Sequence, residues 1–215
     1  MKETMTVHKA LCELKLLDAR INKEISGAKF VMANKHNNQK IGGKNIADYC
    51  ASVKEKYQSI RTLINRRNAI KRAVIMSNAL TKVVIAGKEY TVAQAIDMKS
   101  SGNNYLNALR QTLEEQLAGA VKMTEKENGS KLEERADTYL TSMYSGSDLK
   151  NMSDEIKKVR DAFIASQAID IVDPIDASQE VEKLKDQTDA FMADVDSALS
   201  VSNALTTIEV EYETF

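Results

Sequence analysis

The side chains best suited to metal or acid–base chemistry in this sequence are two histidines and two cysteines. His8 and Cys12 stand four positions apart, so on a helix they would share one face. His36 and Cys50 would complete four potential zinc ligands, although the spacing matches no standard zinc motif. Three interpretations stay open: a zinc ion within one chain, a metal held by His8 residues repeated around a symmetry axis, and a simple surface role for His8 near a helix start.

Motifs of known catalytic chemistry are missing from the sequence. It contains no P-loop, no dinucleotide fingerprint, no HExxH and no CxxC. The two histidines are its only side chains with an ordinary pKa near neutrality. We therefore predict a protein that is not an enzyme and requires no cofactor, with a structural metal ion as the one addition left open.

The composition predicts a mainly helical chain. A single proline and eight glycines leave long helices uninterrupted, and the absence of Trp with 5% aromatic residues disfavours a β-sandwich. The 215 residues suffice for one core, so we predict a single domain over residues 1–215. No apolar run reaches the roughly 20 residues of a membrane span, and no signal peptide is present, so we expect synthesis in the cytoplasm and no membrane contact. Two cysteines are too few for a disulfide framework.

Apolar residues at steps of three and four predict the seams of an elongated antiparallel helix bundle. The residues from 128 to 170 form two shorter helical patterns between turn signals, and we interpret them as a helical excursion. Ser100, Ser101 and Gly102 predict a weak point or kink in the third bundle helix. The predicted bundle helices cover residues 6–26, 45–77, 91–126 and 176–203.

A five-residue repeat precedes two predicted strands. Residues 77–81 and 202–206 both read Ser-Asn-Ala-Leu-Thr, and each leads from a helical pattern into an alternating one. Strands are predicted at about 81–86, 88–91 and 206–213. Because two-stranded sheets are marginal alone, we predict that the C-terminal strand joins the central hairpin in a small antiparallel sheet at one end of the bundle.

The first helix carries apolar side chains on two sides. Its main seam would face the bundle, whereas Met5, Cys12 and Leu16 lie away from that seam. One buried face does not account for both groups. We predict that another helix or another chain covers these three residues, with His8 beside the patch.

The charge is divided between the two parts of the sequence. Residues 1–85 carry 17 Lys and Arg against 6 Asp and Glu, whereas residues 86–215 carry 13 against 25. Such a division can stabilise an antiparallel bundle, orient copies head to tail, or direct a basic face towards an acidic partner. The stretch from 34 to 44, with Lys35 and Lys40, reads as an exposed loop or hairpin tip, either simply solvated or serving as a docking arm.

A basic cluster raises the alternative of nucleic-acid binding. Arginine and lysine side chains on the second helix could contact phosphates. Against this, the cluster shares its helix with a core stripe, lacks aromatic side chains for stacking, and has acidic segments available to pair with it. We therefore predict that the basic end faces a protein. The cluster consists of Arg61, Arg66, Arg67, Lys71 and Arg72.

Three segments resemble a helical protein encoded among the head genes of tailed phages of Gram-positive bacteria. They cover residues 6–21, 57–96 and 171–212, and the repeated Ser-Asn-Ala-Leu-Thr and residues 87–96, GKEYTVAQAI, are their distinctive parts. The resemblance implies a virion structural protein that decorates the capsid exterior, with the major capsid protein and copies of itself as partners. It implies no catalytic residue. A head–tail or tail component, a nucleic-acid-binding helical module and an intracellular coiled-coil adaptor are the alternatives.

Overall fold

The computed structural model describes residues 1–146, 149 and 152–214, and these are mainly α-helical with small antiparallel sheets, which confirms the predicted fold class. The sequence favoured one domain, but the chain divides into two compact units. The first contains Met1–Ser101 and the residues from Ala190 onward, and the second contains Gly102–Asp189. The predicted excursion lies in the second unit, and its residues 147, 148, 150 and 151 are outside the described part.

The helices and strands begin and end close to the predicted positions. A π-helical turn at Met98–Gly102 lies where Ser100, Ser101 and Gly102 predicted a weak point. In chain order the elements are β1 (Lys2–Thr6), α1 (Val7–Ser26), β2 (Lys40–Ile41), β3 (Lys44–Asn45), α2 (Ile46–Leu80), β4 (Lys82–Ile85), β5 (Lys88–Thr91), α3 (Val92–Asp97), the π-helical turn, α4 (Asn103–Asn128), α5 (Ser130–Met143), α6 (Asp154–Gln167), α7 (Ala177–Leu205) and β6 (Thr207–Glu211).

Helix α1 packs antiparallel against α2. Thr6 caps α1, because its hydroxyl accepts a hydrogen bond from the Lys9 amide at 3.2 Å. Ion pairs that join Glu24 to Lys56 and Asp18 to Arg67 fix the antiparallel register. The predicted seam of α1 is buried, and it consists of Val7, Ala10, Leu14, Leu17 and Ile21.

The C-terminal strand pairs with the N-terminal strand. Strand β6 lies antiparallel to β1, with Ile208 opposite Met5 and Val210 opposite Glu3. Strands β4 and β5 form a separate two-stranded hairpin. The prediction that β6 joins this hairpin is therefore wrong.

Separate apolar clusters explain the difference in pairing. Ile208 and Val210 pack with Ile70 and Val74 of α2 and with the seam of α1. Burying these side chains favours the β1–β6 arrangement by about 1.5–3 kcal/mol for each. The hairpin side chains are in the other cluster, which consists of Val83, Ile85, Val92, Ala95, Phe191 and Val195.

The five-residue repeats belong to two similar structural modules in the first unit. The first module runs from the end of α2 through β4 and β5 into α3, and the second combines the end of α7 and β6 with β1 and α1. Both repeats end a helix in the same way: the Thr81 amide donates to the Ser77 carbonyl at 2.8 Å, and the Thr206 amide donates to the Ser202 carbonyl at 2.9 Å.

The same backbone hydrogen bond closes each module. The Val92 amide donates to the Thr81 carbonyl at 2.9 Å, and the Val7 amide donates to the Thr206 carbonyl at 2.9 Å. Both valines are buried at the first position of a helix, and each is followed three positions later by a fully buried alanine, Ala95 or Ala10. The two modules thus repeat sequence, backbone bonding and burial together.

Helices α5 and α6 form the core of the second unit. Tyr139 stacks on Phe163 with ring centroids 4.6 Å apart. The side-chain amide of Asn128 donates to the Ile169 carbonyl at 2.7 Å and accepts from the Ile169 amide at 2.9 Å, which secures the chain after α6 to the end of α4. The buried apolar residues here are Leu132, Ala136, Leu140 and Ile156.

Candidate interaction surfaces

The predicted metal ligands do not come together within one chain. His8 Nε2 lies 3.9 Å from Cys12 Sγ, and both residues are exposed on α1. His36 lies in the turn before β2 and Cys50 in α2. Across residues 1–146, 149 and 152–214, no group of three or more His, Cys, Asp or Glu residues is arranged to hold a metal ion. A site built from His8 residues of several copies stays a prediction.

Two of the three predicted docking residues on helix 1 are accessible. Leu16 is 72% exposed and Cys12 is also exposed, whereas Met5 is only 4% exposed and belongs to the core opposite Ile208. The sequence predicted that another helix or another chain covers Met5, but it did not predict strand β1, in which Met5 is buried opposite Ile208. The accessible side of α1, called here the outer α1 face, consists of His8, Cys12, Leu16, Ala19 and Lys23.

Arg66 is held within the chain. Its Nε lies 2.5 Å from Glu13 Oε1 and its Nη1 lies 2.9 Å from Glu3 Oε1. It also donates to the Tyr212 hydroxyl and lies over that ring, 5.1 Å from the centroid. The hydrogen bond to Glu13 is the main cause that raises the pKa of the guanidinium above its ordinary value. The hydrogen bond to Tyr212 and the charge of Glu3 raise this pKa further. Arg66 therefore joins α1, α2, β1 and Tyr212, the residue that follows β6.

Arg67 is also engaged, because its Nε lies 2.8 Å from Asp18 Oδ1. The structure therefore places both predicted docking arginines in ion pairs within the chain, and their contact with a partner stays a prediction. Acidic partners 49 to 63 positions away explain why the sequence pattern showed only the basic residues.

Within the part of the chain that the structure describes, the acidic side chains of α1 are paired and its basic ones are not. Every acidic residue of α1 forms an ion pair with α2, whereas its outer basic residues form no ion pair within the described part of the chain. The outer α1 face contains Lys23 and is flanked along the helix by Lys9, Lys15 and Arg20, so it is positive with an apolar centre at Leu16. The unpaired cations are Lys9, Lys15, Arg20 and Lys23.

The basic loop forms a small exposed hairpin, as predicted for its tip. Lys40 is in β2, which pairs with β3, and Gly42 and Gly43 make the turn with φ values of +59° and +83°. These left-handed conformations require glycine. Lys35 is exposed in the preceding turn.

Each module has a matching exposed apolar pair at the end of the helix that leads into its strand. Met76 and Leu80 precede β4, and Val201 and Leu205 precede β6; in both pairs the residues are four positions apart on one helix face. Leu80 is 74% exposed and Leu205 is 77% exposed. We call these two pairs the module ends.

A free strand edge accompanies the module ends. Each sheet of the first unit that the structure describes has two strands, so each strand has one unpaired edge. The amides and carbonyls of Thr207, Glu209 and Glu211 point to the free edge of β6, given the alternation of an antiparallel pair. A groove of about 540 Å³ separates this edge from Met76 and Leu80.

A second groove lies in the second unit between α4 and the start of α7. It measures about 550 Å³, and Leu117, Ala118, Val121 and Val181 provide its apolar lining. Helix α4 buries only Asn103 among its residues, so most of its apolar stripe remains accessible. The polar lining consists of Glu114, Lys122, Glu125, Ser178 and Glu182. We call this the α4–α7 groove.

Comparison with known proteins finds no match: no protein-family model, no curated protein and no solved structure resembles this chain. Among the described residues, no helix combines the length and apolar character needed to cross a membrane.

Proposed function

We propose that this chain is a non-enzymatic structural protein of a phage virion, bound to the outer surface of the capsid as a decoration protein. The resemblance of residues 6–21, 57–96 and 171–212 to a phage head protein supports this assignment. The structural observation that supports it most is the duplication of an exposed apolar pair, the module end, within one compact unit.

The module ends have the chemistry of a contact surface. An apolar side chain gains about 1.5–3 kcal/mol when a partner removes it from water. Leu80 lines the groove beside the free edge of β6, whose backbone groups can pair with another chain, and Leu205 is exposed at the matching position of the second module. Apolar contact is thus available at both module ends, and backbone pairing is available beside the first.

Two similar docking elements on one chain suit a repeating lattice. A capsid presents the same surface many times, so one bound element holds the second at a high effective concentration. The overall affinity then exceeds that of either element by about 10²–10⁴. A protein that must cover a shell permanently needs this multiplicity and no reaction centre.

The first test is the presence and abundance of the chain in purified virions. Quantitative mass spectrometry should find a copy number comparable to that of the major capsid protein, and electron cryomicroscopy should locate it on the shell. A few copies at one vertex would instead indicate a head–tail or tail component. Absence from purified virions would refute the proposal.

The second test uses capsids that lack the protein. Leu80→Glu and Leu205→Glu should each weaken capsid binding by a similar factor, at least tenfold, because either change removes one of two linked contacts. Both leucines are exposed, so melting temperatures should stay close to that of the unmodified protein. Val172→Glu, at a position 89% exposed and outside both modules, is the matched control. If both leucine variants bound the capsid with native affinity, the module ends would be excluded as the capsid-binding surface.

A further inference from the structure

The outer α1 face and the α4–α7 groove match in length. From Cys12 to Lys23 and from Glu114 to Glu125 the chain advances by the same number of residues, about 16 Å along each helix. A helix laid along a groove between two other helices is a common way for helical surfaces to associate. The dimensions therefore allow one α1 helix to occupy one groove.

The apolar groups of the two surfaces are also compatible. Leu16 projects from the middle of the outer α1 face, between the small side chains of Cys12 and Ala19. The groove presents Leu117 and Val121 on α4. A leucine inserted between these two side chains would be removed from water, and so would Leu117 and Val121, which favours association.

The charges of the two surfaces are opposite. Four basic residues of α1 form no ion pair among the described residues, as shown above. The groove carries Glu114, Glu125 and Glu182 against Lys122. Glu114 is paired with Arg110 at 2.6 Å. The two other carboxylates, Glu125 and Glu182, still outnumber the one lysine, so the groove is negative. Opposite potentials favour association in one orientation and disfavour contact between like surfaces.

From these observations we propose that the outer α1 face of one copy binds in the α4–α7 groove of a second copy. The two surfaces differ, so the contact is head to tail and can continue from copy to copy. This inference goes beyond capsid attachment, since it requires no capsid and uses neither module end. One helix in one groove covers less than the roughly 1,200–2,000 Å² of a stable complex. The association is therefore weak in solution and is reinforced on a lattice, where copies are held close together.

Sedimentation velocity of the purified protein tests the proposal without any phage component. The average mass should rise with protein concentration and fall with added salt, because screening weakens the attraction between the two surfaces. Leu16→Glu alters only the α1 face, and Val121→Glu alters only the groove. Each variant alone should associate at least tenfold more weakly than the unmodified chain, while Val172→Glu should associate normally.

A mixture of the two variants provides the decisive experiment. Leu16→Glu retains an intact groove and Val121→Glu retains an intact α1 face, so an equimolar mixture should form a heterodimer that grows no further. A symmetric contact between two α1 faces would leave Val121→Glu with normal association, which would overturn the proposal. Occupation of the groove by the α1 helix of the same chain would also overturn it, and would show as a concentration-independent mass with both variants melting at lower temperature.

Discussion

A designed disulfide between β1 and β6 tests the strand pairing most directly. Thr4 and Glu209 are opposite each other and both are exposed. Met1 and Tyr212 exchange backbone hydrogen bonds, so by alternation the Thr4–Glu209 pair is not hydrogen-bonded, and its side chains lie closer together. We expect Thr4→Cys with Glu209→Cys to form a disulfide when Cys12 and Cys50, which are both exposed, are replaced by serine.

The long loop that this disulfide closes sets the expected gain in stability. Joining positions 4 and 209 restricts an unfolded loop of about 200 residues, which corresponds to about 5 kcal/mol by chain entropy. Loss of the ion pair between Lys2 and Glu209 offsets little of this gain, because both side chains are exposed and screened by water. The oxidised protein should therefore unfold at a higher urea concentration than its reduced form.

The assay combines thiol titration, mobility on a non-reducing gel, and urea unfolding followed by circular dichroism. The matched control is Val84→Cys with Glu209→Cys, a pair that would be neighbours if β6 joined the β4–β5 hairpin. If the control pair oxidises readily and the Thr4–Glu209 pair does not, the register of β1 and β6 described here is refuted.

Three further outcomes follow from contacts in the first unit. Thr6→Ala and Thr91→Ala should each lower the free energy of unfolding by about 1 kcal/mol, because each threonine caps a helix in the same way, and unequal losses of several kcal/mol would argue against equivalent modules. Arg66→Ala should lower the free energy of unfolding in urea by about 1.5–3 kcal/mol, whereas Arg72→Ala, which removes an exposed cation with no ion pair among the described residues, should change it by less than about 0.5 kcal/mol. Fluorescence anisotropy should detect no DNA binding at physiological salt; a micromolar complex with a steep salt dependence would restore the nucleic-acid alternative.

The helices were predictable because their signals are local. The seam of α1 and its Thr6 cap occur within one stretch of sequence, and so does the capping box of Thr91 and Gln94. Periodicity and capping depend on residues close together in the sequence, so both can be recognised without knowledge of the fold. The boundaries of the long helices consequently agree with the structure.

Strand β1 was missed because its sequence has almost no pattern. Among Lys2–Thr6 only Met5 is buried, and the alternation that indicates a half-buried strand is absent. Its partner lies at the far end of the sequence, where Ile208 and Val210 show clear alternation but not which strand they join. Pairing was therefore assigned to the nearest visible hairpin.

The candidate surfaces were only partly visible in the sequence. The position of Leu16 away from the main seam was read from the sequence, but the pairing of Arg66 with Glu3 and Glu13 depends on tertiary structure. The second half of the repeat was also hidden, because KETMTV in residues 2–7 differs from KEYTV in residues 88–92 by an inserted residue. That similarity becomes clear once both segments are seen to begin a helix after a strand.

The division of the second module between the two ends of the sequence has a consequence for the order of folding. In the first module, Ala86 and Gly87 alone connect the strands, with φ values of 48° and 76° that suit a tight turn, so this hairpin closes locally. Strands β1 and β6 must close a loop of about 200 residues, which adds about 4 kcal/mol of closure entropy relative to a short turn. During synthesis the first hairpin forms early, whereas Met5 of β1 waits for its partner Ile208 of β6 to be made. Pulse-labelling hydrogen exchange would then find the amides of β4 and β5 protected before those of β1.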